Sequence, residues 1–168
     1  MATPEFVVRL REKVGHDPLW LVGVTAYVED ARGRVLLGQR ADTGEWALVY
    51  GINEPGEEPA ETVRREVLEE TGVDVVVTEF VGMRAGGEQT VYANGDRCQF
   101  LDLMFSCAPT TGGNALPFVG DDESLAVGWF APDALPEPLA ASTRERLERL
   151  RAFRAGDGHA LFRGGSGR

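Results

Sequence analysis

The stretch of sequence that decides the fold lies between residues 51 and 73. It consists of Gly51-Ile52-Asn53-Glu54-Pro55-Gly56-Glu57, seven further residues, and Arg65-Glu66-Val67-Leu68-Glu69-Glu70-Thr71-Gly72-Val73. Pro59 stands where a helix begins, because its fixed φ suits the first turn, and Gly72 stands where a helix ends in a left-handed residue. The stretch therefore predicts a polar loop followed by a helix.

Three carboxylates lie on one side of this predicted helix. Glu66, Glu69 and Glu70 are three and four residues apart, a spacing that brings side chains together on a helix. Like charges so arranged repel each other, and acidic residues near a helix C-terminus also oppose the macrodipole. A bound cation would offset both effects, and carboxylate oxygens suit Mg²⁺ or Mn²⁺. The alternative is a solvated acidic face, as on any Glu-rich helix.

The complete pattern favours the metal site. A glycine, five residues, a glutamate and seven residues precede Arg-Glu-aliphatic-any-Glu-Glu-any-Gly-aliphatic, with every fixed position matched. This pattern resembles the Nudix box, the signature of the Nudix hydrolase family. The order of elements over about residues 19–135 is also similar to a Nudix domain. The resemblance implies an α/β/α sandwich with a mixed β-sheet, and hydrolysis of a nucleoside diphosphate linked to another moiety.

The resemblance also implies a role for each residue of the box. Glu66, Glu69 and Glu70 would bind the divalent cations, with the backbone carbonyl of Gly51 as a further ligand. Glu57 would support the metal ligands or their water network, and Arg65 would orient a glutamate through a salt bridge.

A general base is expected among the acidic residues. Within the helix the candidates are Glu69 and Glu70. The loop Asp121-Asp122-Glu123 precedes a predicted strand, where several Nudix proteins supply an additional carboxylate. Glu123 is the preferred residue of that loop, and the alternative is an ordinary solvated acidic loop.

One departure from the family concerns the substrate. Val49 and Tyr50 replace the Pro-Gly that commonly enters the box, so Tyr50 is expected to reshape or narrow the site. Arg40 is a candidate for contacting phosphate, with a surface salt bridge as the alternative. Trp46 and Tyr50 are candidates for stacking on a nucleobase, as are Phe80 and Tyr92, although buried aromatic residues more often pack in the core.

Composition limits the class of protein. The chain has 168 residues with 43% hydrophobic residues and a formal net charge of −10, which fits a single domain and argues against duplex nucleic acid as a partner. No apolar stretch approaches the roughly 20 residues needed to span a bilayer, and the composition of the first residues predicts that they are not a secretory signal. Two distant cysteines agree with a reduced, cytoplasmic protein.

The remaining segments predict the domain organisation. Residues 1–18 are expected to form an N-terminal helix, capped by Thr3 and ended by Gly15, with a linker. Residues 19–157 form the Nudix-like domain, in which residues 19–28 and 35–37 are expected to pair as a hairpin. Asn94-Gly95 predicts a type I′ turn. Residues 158–168 are expected to be a disordered tail.

Several functional alternatives stay open at this stage. The substrate is either a nucleotide sugar such as ADP-ribose or a noncanonical nucleoside triphosphate, and the N-terminal helix would serve a homodimer in the first branch. A noncatalytic Nudix-like nucleotide-binding module is a second class, although such modules usually lose box glutamates. A generic acidic metal-buffering protein is the third.

Overall fold

The computed structural model describes residues 3–86, 89–92, 94–156 and 159–161. The helices are α1 Glu5–Val14, α2 Pro59–Thr71 and α3 Ala141–Ala155. The strands are β1 Leu19–Val28, β2 Val35–Arg40, β3 Trp46–Ala47, β4 Val49–Ile52, β5 Val75–Ala85, β6 Thr90–Val91, β7 Arg97–Pro109 and β8 Ser124–Phe130. None of the described helices is both long and apolar enough to cross a bilayer.

The strands form two sheets. The larger has five strands in the order β4-β1-β7-β5, with β6 also paired to β7, and the smaller has three in the order β3-β2-β8. β1 runs parallel to β7, whereas β1 pairs with β4, and β5 with β7, in antiparallel fashion. The predicted α/β class with a mixed sheet is confirmed.

The predicted hairpin between β1 and β2 is wrong. A single antiparallel bridge, Glu29 to Val35, joins the two segments, and β2 continues into the smaller sheet. The physical reason is that β4 and β7 occupy both edges of β1, so no edge is left for β2.

The helices cover opposite faces of the larger sheet. On one face, Val63 and Val67 of α2 pack in a cluster with Val24 and Val49. On the other face, Leu147 of α3 packs in a cluster with the β1 residue Tyr27. Because side chains alternate along a strand, adjacent residues of β1 and β4 face different helices.

Helix α1 packs against another part of the second face. Its buried Val7 packs with Leu21, Ile52 and Cys98, and Arg11 Nη2 donates a hydrogen bond to the carbonyl oxygen of Arg97 at 2.8 Å. These contacts attach the N-terminal segment to β1, β4 and β7.

Three local predictions need adjustment or lie partly outside the described residues. The N-cap of α1 is Pro4 rather than Thr3, because the first helical residue is Glu5. In the β6–β7 hairpin only Gly95 among the described turn residues has a positive φ, 87°, so the turn is not type I′, which needs two such residues. Leu161 of the predicted tail pairs with Gly82 of β5, while residues 158 and 162–168 of that tail lie outside the described residues.

Candidate active site

The site begins where β4 meets α2. Gly51 pairs with Val24 of β1 and faces α2, on which the carboxylate of Glu66 is buried, with 8% of its side chain exposed. A Cβ added at Gly51 would lie 2.1 Å from Cδ of Glu66. Only a glycine therefore allows this carboxylate to lie against the β4 backbone.

One guanidinium binds three of the four glutamates at fixed positions of the motif, which are Glu57, Glu66, Glu69 and Glu70. Arg65 donates from Nε and Nη2 to the two carboxylate oxygens of Glu57, each at 3.0 Å. Its Nη1 donates to Glu66 Oε1 at 3.0 Å and to Glu69 Oε2 at 3.1 Å. Such a fork holds carboxylates in a fixed orientation, which agrees with the orienting role that the resemblance implies for Arg65.

Glu57 has a second set of supports. Thr62, which is fully buried, donates from Oγ1 to Glu57 Oε2 at 2.8 Å. Asn53 donates from Nδ2 to Thr62 Oγ1 at 2.7 Å and to the Glu57 carbonyl oxygen at 3.0 Å. The hydrogen bonds from Arg65, and then that from Thr62, outweigh burial and lower the pKa of Glu57, so this carboxylate is held in its charged form.

The carboxylates of Glu66 and Glu70 are destabilised in their charged form, and the protein alone does not offset this effect. Burial raises the pKa of Glu66 to about 6 against the opposing effect of Arg65. Burial, and then the nearby charge of Glu66, raise the pKa of Glu70 to about 8, and Asp121 adds to this effect. Negative charge at these positions calls for a cationic partner.

The donor set fits a hard divalent cation. Carboxylate oxygens of Glu66, Glu69 and Glu70 lie on one helix, and the backbone of Gly51 lies against Glu66. Oxygen ligands of this kind suit Mg²⁺ and Mn²⁺. In the described part of the chain no three acidic, histidine or cysteine side chains are grouped closely enough to hold a metal ion as they stand, and Arg65 binds one oxygen each of Glu66 and Glu69.

A loop caps the C-terminal end of α2. Asn114 Nδ2 donates to the carbonyl oxygen of Gly72 at 2.6 Å, the N–H of Phe118 to that of Thr71 at 2.9 Å, and the N–H of Gly120 to that of Glu70 at 3.1 Å. These bonds satisfy carbonyl groups that a helix end leaves unpaired. They also bring Asp121 close to Glu70. Sequence reasoning did not prefer Asp121 to Glu123.

The backbone of Glu123 makes two hydrogen bonds. Its N–H donates to Asp121 Oδ1 at 3.1 Å, and its carbonyl oxygen accepts from the N–H of Ala41 at 2.7 Å. The backbone of Glu123 is thus joined to the residue that follows Arg40.

The three residues proposed to contact substrate occupy different surroundings. The guanidinium of Arg40 lies 5.4 Å from the ring centre of Tyr50 and also pairs with Asp42. Trp46 packs edge to face with Phe130 at 4.8 Å, among residues of the α3 cluster. The structure therefore brings Arg40 and Tyr50 together and places Trp46 in a packing contact.

Sequence reasoning missed Arg146, which lies beside Tyr50, and its partner Asp102. The guanidinium of Arg146 on α3 is also 5.4 Å from the centre of the Tyr50 ring. Its Nε donates to Asp102 Oδ2 at 3.2 Å, and Thr25 Oγ1 donates to Asp102 Oδ1 at 2.7 Å. An acidic residue within the apolar run Phe100-Leu101-Asp102-Leu103-Met104-Phe105 was the signal that could have found this pair.

Comparisons with known proteins agree with this geometry. A family model described as NUDIX domain matches residues 19–150. A MutT-like protein of Streptomyces ambofaciens is 39% identical over 130 residues, which cover 77% of this chain and 76% of that protein. The 8-oxo-dGDP phosphatase NUDT18 of Mus musculus is 31% identical over 141 residues, which cover 82% of this chain but only 39% of the mouse protein.

A solved structure shows the same fold. The crystal structure of a MutT NUDIX hydrolase from Burkholderia pseudomallei aligns with a TM-score of 0.64 and 29% sequence identity, covering 79% of this chain and 98% of that one. The two chains thus share their architecture over most of their lengths.

Proposed function

The chain belongs to the NUDIX domain family and is a hydrolase of that family, and from this premise we propose that it cleaves the pyrophosphate linkage of a small nucleoside diphosphate derivative with Mg²⁺, or Mn²⁺, as its cofactor. The observation that carries the proposal is the single guanidinium of Arg65, which binds Glu57, Glu66 and Glu69 at 3.0–3.1 Å. A merely solvated acidic face would not need this arrangement.

Glu66, Glu69, Glu70 and the Gly51 carbonyl would hold the metal. When bound, divalent cations supply neutralisation of phosphate charge and a lowered pKa for the attacking water. Arg65 holds the carboxylates close to one another. Glu57 fixes the orientation of Arg65 by accepting hydrogen bonds from its Nε and Nη2. Arg40, whose guanidinium pairs with Asp42, slightly lowers the pKa of Glu70, and it is the residue proposed to contact a phosphate group.

The proton of the attacking water would go to a carboxylate. Glu69 and Glu70 are candidates on the helix, and Glu123 is the candidate of the loop. Asp121 is added as a rival, because the Gly120 to Glu70 hydrogen bond holds its segment against α2. Glu123→Gln and Asp121→Asn separate the two, because removal of a general base lowers kcat by about 10²–10⁴-fold and a bystander substitution lowers it by less than about threefold.

The test of the whole proposal is a substrate panel. The purified chain is incubated with Mg²⁺ and ADP-ribose, other nucleotide sugars, and normal or 8-oxo nucleoside di- and triphosphates, and the products are resolved by chromatography. Metal-dependent release of a nucleoside monophosphate or inorganic phosphate, lost in Glu70→Gln but not in Glu61→Gln, supports it. Glu61 is the matched control because it lies on α2 but pairs with Arg64 on the exposed side.

The same panel decides between the remaining alternatives. The name of the mouse relative supports an oxidised guanine nucleotide, whereas turnover of ADP-ribose alone would support the nucleotide-sugar branch. Nucleotide binding without turnover of any compound would favour the noncatalytic module. A cytoplasmic location and a homodimer formed through α1 stay predictions.

A further inference from the structure

Asn53 connects three parts of the chain beside the proposed metal site. Its backbone N–H donates a hydrogen bond to the carbonyl oxygen of Val22 in β1 at 3.0 Å. Its side-chain Nδ2 donates to the carbonyl oxygen of Glu57 at 3.0 Å and to Oγ1 of Thr62 at 2.7 Å. Asn53 therefore joins the end of β4 to β1, to the loop before α2 and to the first turn of α2.

The hydrogen-bond partners fix the orientation of the Asn53 amide group. A carbonyl oxygen only accepts hydrogen bonds, so the group that lies against the Glu57 carbonyl must be the NH₂. Both of its hydrogens are then used, one by Glu57 and one by Thr62. Thr62 Oγ1 consequently acts as an acceptor towards Asn53, and its own single proton is left for another partner.

Two acceptors lie within reach of that Thr62 proton. Oε2 of Glu57 lies 2.8 Å from Thr62 Oγ1, and the carbonyl oxygen of Glu58, four residues before Thr62, lies 3.5 Å away. A threonine hydroxyl on a helix commonly donates to the carbonyl four residues earlier. Because Asn53 bonds to both Glu57 and Thr62, it holds these two residues at the shorter distance, and the carboxylate receives the proton instead.

The orientation of Glu57 matters because Glu57 positions Arg65. Both carboxylate oxygens of Glu57 accept hydrogen bonds from Arg65, from Nε and Nη2, so the plane of the carboxylate sets the plane of the guanidinium. With that edge fixed, Nη1 reaches Glu66 and Glu69 at 3.0 and 3.1 Å. The orientation of Glu57 is thereby passed on to two of the proposed metal ligands.

From these contacts we infer that Asn53 is a positioning residue for the metal-binding carboxylates. By donating both Nδ2 hydrogens it directs the Thr62 hydroxyl to Glu57, and Glu57 then holds Arg65 in a fixed plane. The inference rests on the proposed function, because it gives Asn53 a part in holding the proposed metal ligands. A purely structural Asn53 would attach the loop to α2 without affecting the guanidinium of Arg65.

Hydrogen exchange at Nε–H of Arg65 tests this role without metal or turnover. The rate is measured by NMR in the metal-free full chain. Nε–H of Arg64, which donates to the carbonyl oxygen of Val75 at 3.1 Å, is the internal reference on the same helix. In Asn53→Leu we expect the rate at Arg65 to rise about tenfold or more, as for the loss of a hydrogen bond to a charged group, and the rate at Arg64 to stay the same. An equal rise at both arginines, or no rise at Arg65, would overturn the inference.

Two further variants test the order of the contacts. Asn53→Asp keeps the shape but has acceptors only at neutral pH, so the Thr62 hydroxyl should donate to position 53 and the rate at Arg65 should rise as in Asn53→Leu. Asn53→Leu combined with Thr62→Val should raise that rate no more than either single variant does, because the two residues act in series. Additive rises would contradict action through Thr62. Asn94→Leu, which removes a hydrogen bond to Asp96 in the β6–β7 turn, is the control and should leave the rate at Arg65 unchanged.

A binding experiment separates this inference from the proposed function. Calorimetric titration of the full chain with Mn²⁺ should give a Kd about 10- to 100-fold weaker for Asn53→Leu than for the unsubstituted chain, with Asn94→Leu unchanged. Equal Mn²⁺ affinity in Asn53→Leu and the unsubstituted chain contradicts the inference, even if pyrophosphate cleavage is found. Faster exchange at Arg65 alone supports the positioning role, even if no compound of the substrate panel is cleaved.

Discussion

Gly51 and Glu66 occupy adjoining space so closely that no other residue fits at position 51. A Cβ there would lie 2.1 Å from Cδ and 2.3 Å from Oε1 of Glu66. The glycine thus permits a buried carboxylate to reach both the β4 backbone and Arg65 Nη1.

Gly51→Ala should displace Glu66 and separate it from Arg65. We expect metal affinity and kcat/KM to fall by about 10- to 100-fold or more, as when groups that orient metal ligands are lost. Titration with Mn²⁺ and steady-state kinetics measure both. Gly23→Ala in the neighbouring strand is a control for stability, since its Cβ would meet atoms no nearer than 3.5 Å.

Arg65→Lys should reduce activity although it keeps the charge. A lysine nitrogen cannot bind both oxygens of Glu57 while also reaching Glu66 and Glu69, so the carboxylates lose their common orientation. We expect a fall in kcat/KM of about 10- to 100-fold, measured with the substrate that the panel identifies. Arg64→Lys should change kcat/KM less than threefold, and an equal loss in both variants would contradict the orienting role.

Thr62→Val should destabilise the loop before α2. It removes the hydroxyl that donates to Glu57 and accepts from Asn53, so two hydrogen bonds are lost at a net cost of about 0.5–1.5 kcal/mol each. Urea unfolding measures the loss. Thr62→Ser keeps the hydroxyl, so it should retain most of the stability; an equal loss in both variants would assign the effect to packing.

Glu70→Gln should stabilise the metal-free protein, and more so at higher pH. The pKa of Glu70 is raised in the folded protein from 4.5 to about 8, so its protonated form contributes stability that is complete below pH 4.5 and is lost as the pH rises through 8. With a chelator present, we expect the variant to melt above the unsubstituted chain by at least about 2–4 °C at pH 8.5, the shift that 1 kcal/mol produces at this size.

The same comparison at pH 5 gives the internal control. There the Tm difference between Glu70→Gln and the unsubstituted chain should be much smaller, and addition of Mg²⁺ at pH 8.5 should reverse its sign. A Tm difference that is independent of pH would show that the charge of Glu70 does not cause the effect.

Gly120→Ala should loosen the cap on α2. Its Cβ would lie 1.9 Å from the carbonyl oxygen of Glu69, so the loop must move and the Gly120 to Glu70 hydrogen bond must break. Because Asp121 follows directly, we expect a lower Tm together with a kcat reduced at least tenfold. An unchanged kcat with a lowered Tm would limit the loop to a structural role.

Sequence reasoning performed well where structure depends on near neighbours in the chain. The bounds of α2, from Pro59 to Thr71 with Gly72 in a left-handed conformation, follow the prediction. The predicted hairpin between β1 and β2 was wrong, because the sheet that a strand joins depends on which strand edges are free. Both edges of β1 are occupied, by β4 and β7. In the acidic loop the preference for Glu123 stays a prediction, and the backbone contact at Gly120, which the sequence does not reveal, brings Asp121 towards Glu70.

The sequence by itself determined the family, the helix with its three glutamates and the glycine and arginine that serve them, because helical periodicity and a fixed motif are properties of contiguous residues. Only the tertiary structure decided that Arg146 meets Asp102 and Tyr50. These residues come from α3, β7 and β4, and their meeting depends on strand register and on the placement of a helix across the sheet. Local sequence carries no record of either, because both arise from packing between segments distant in the chain.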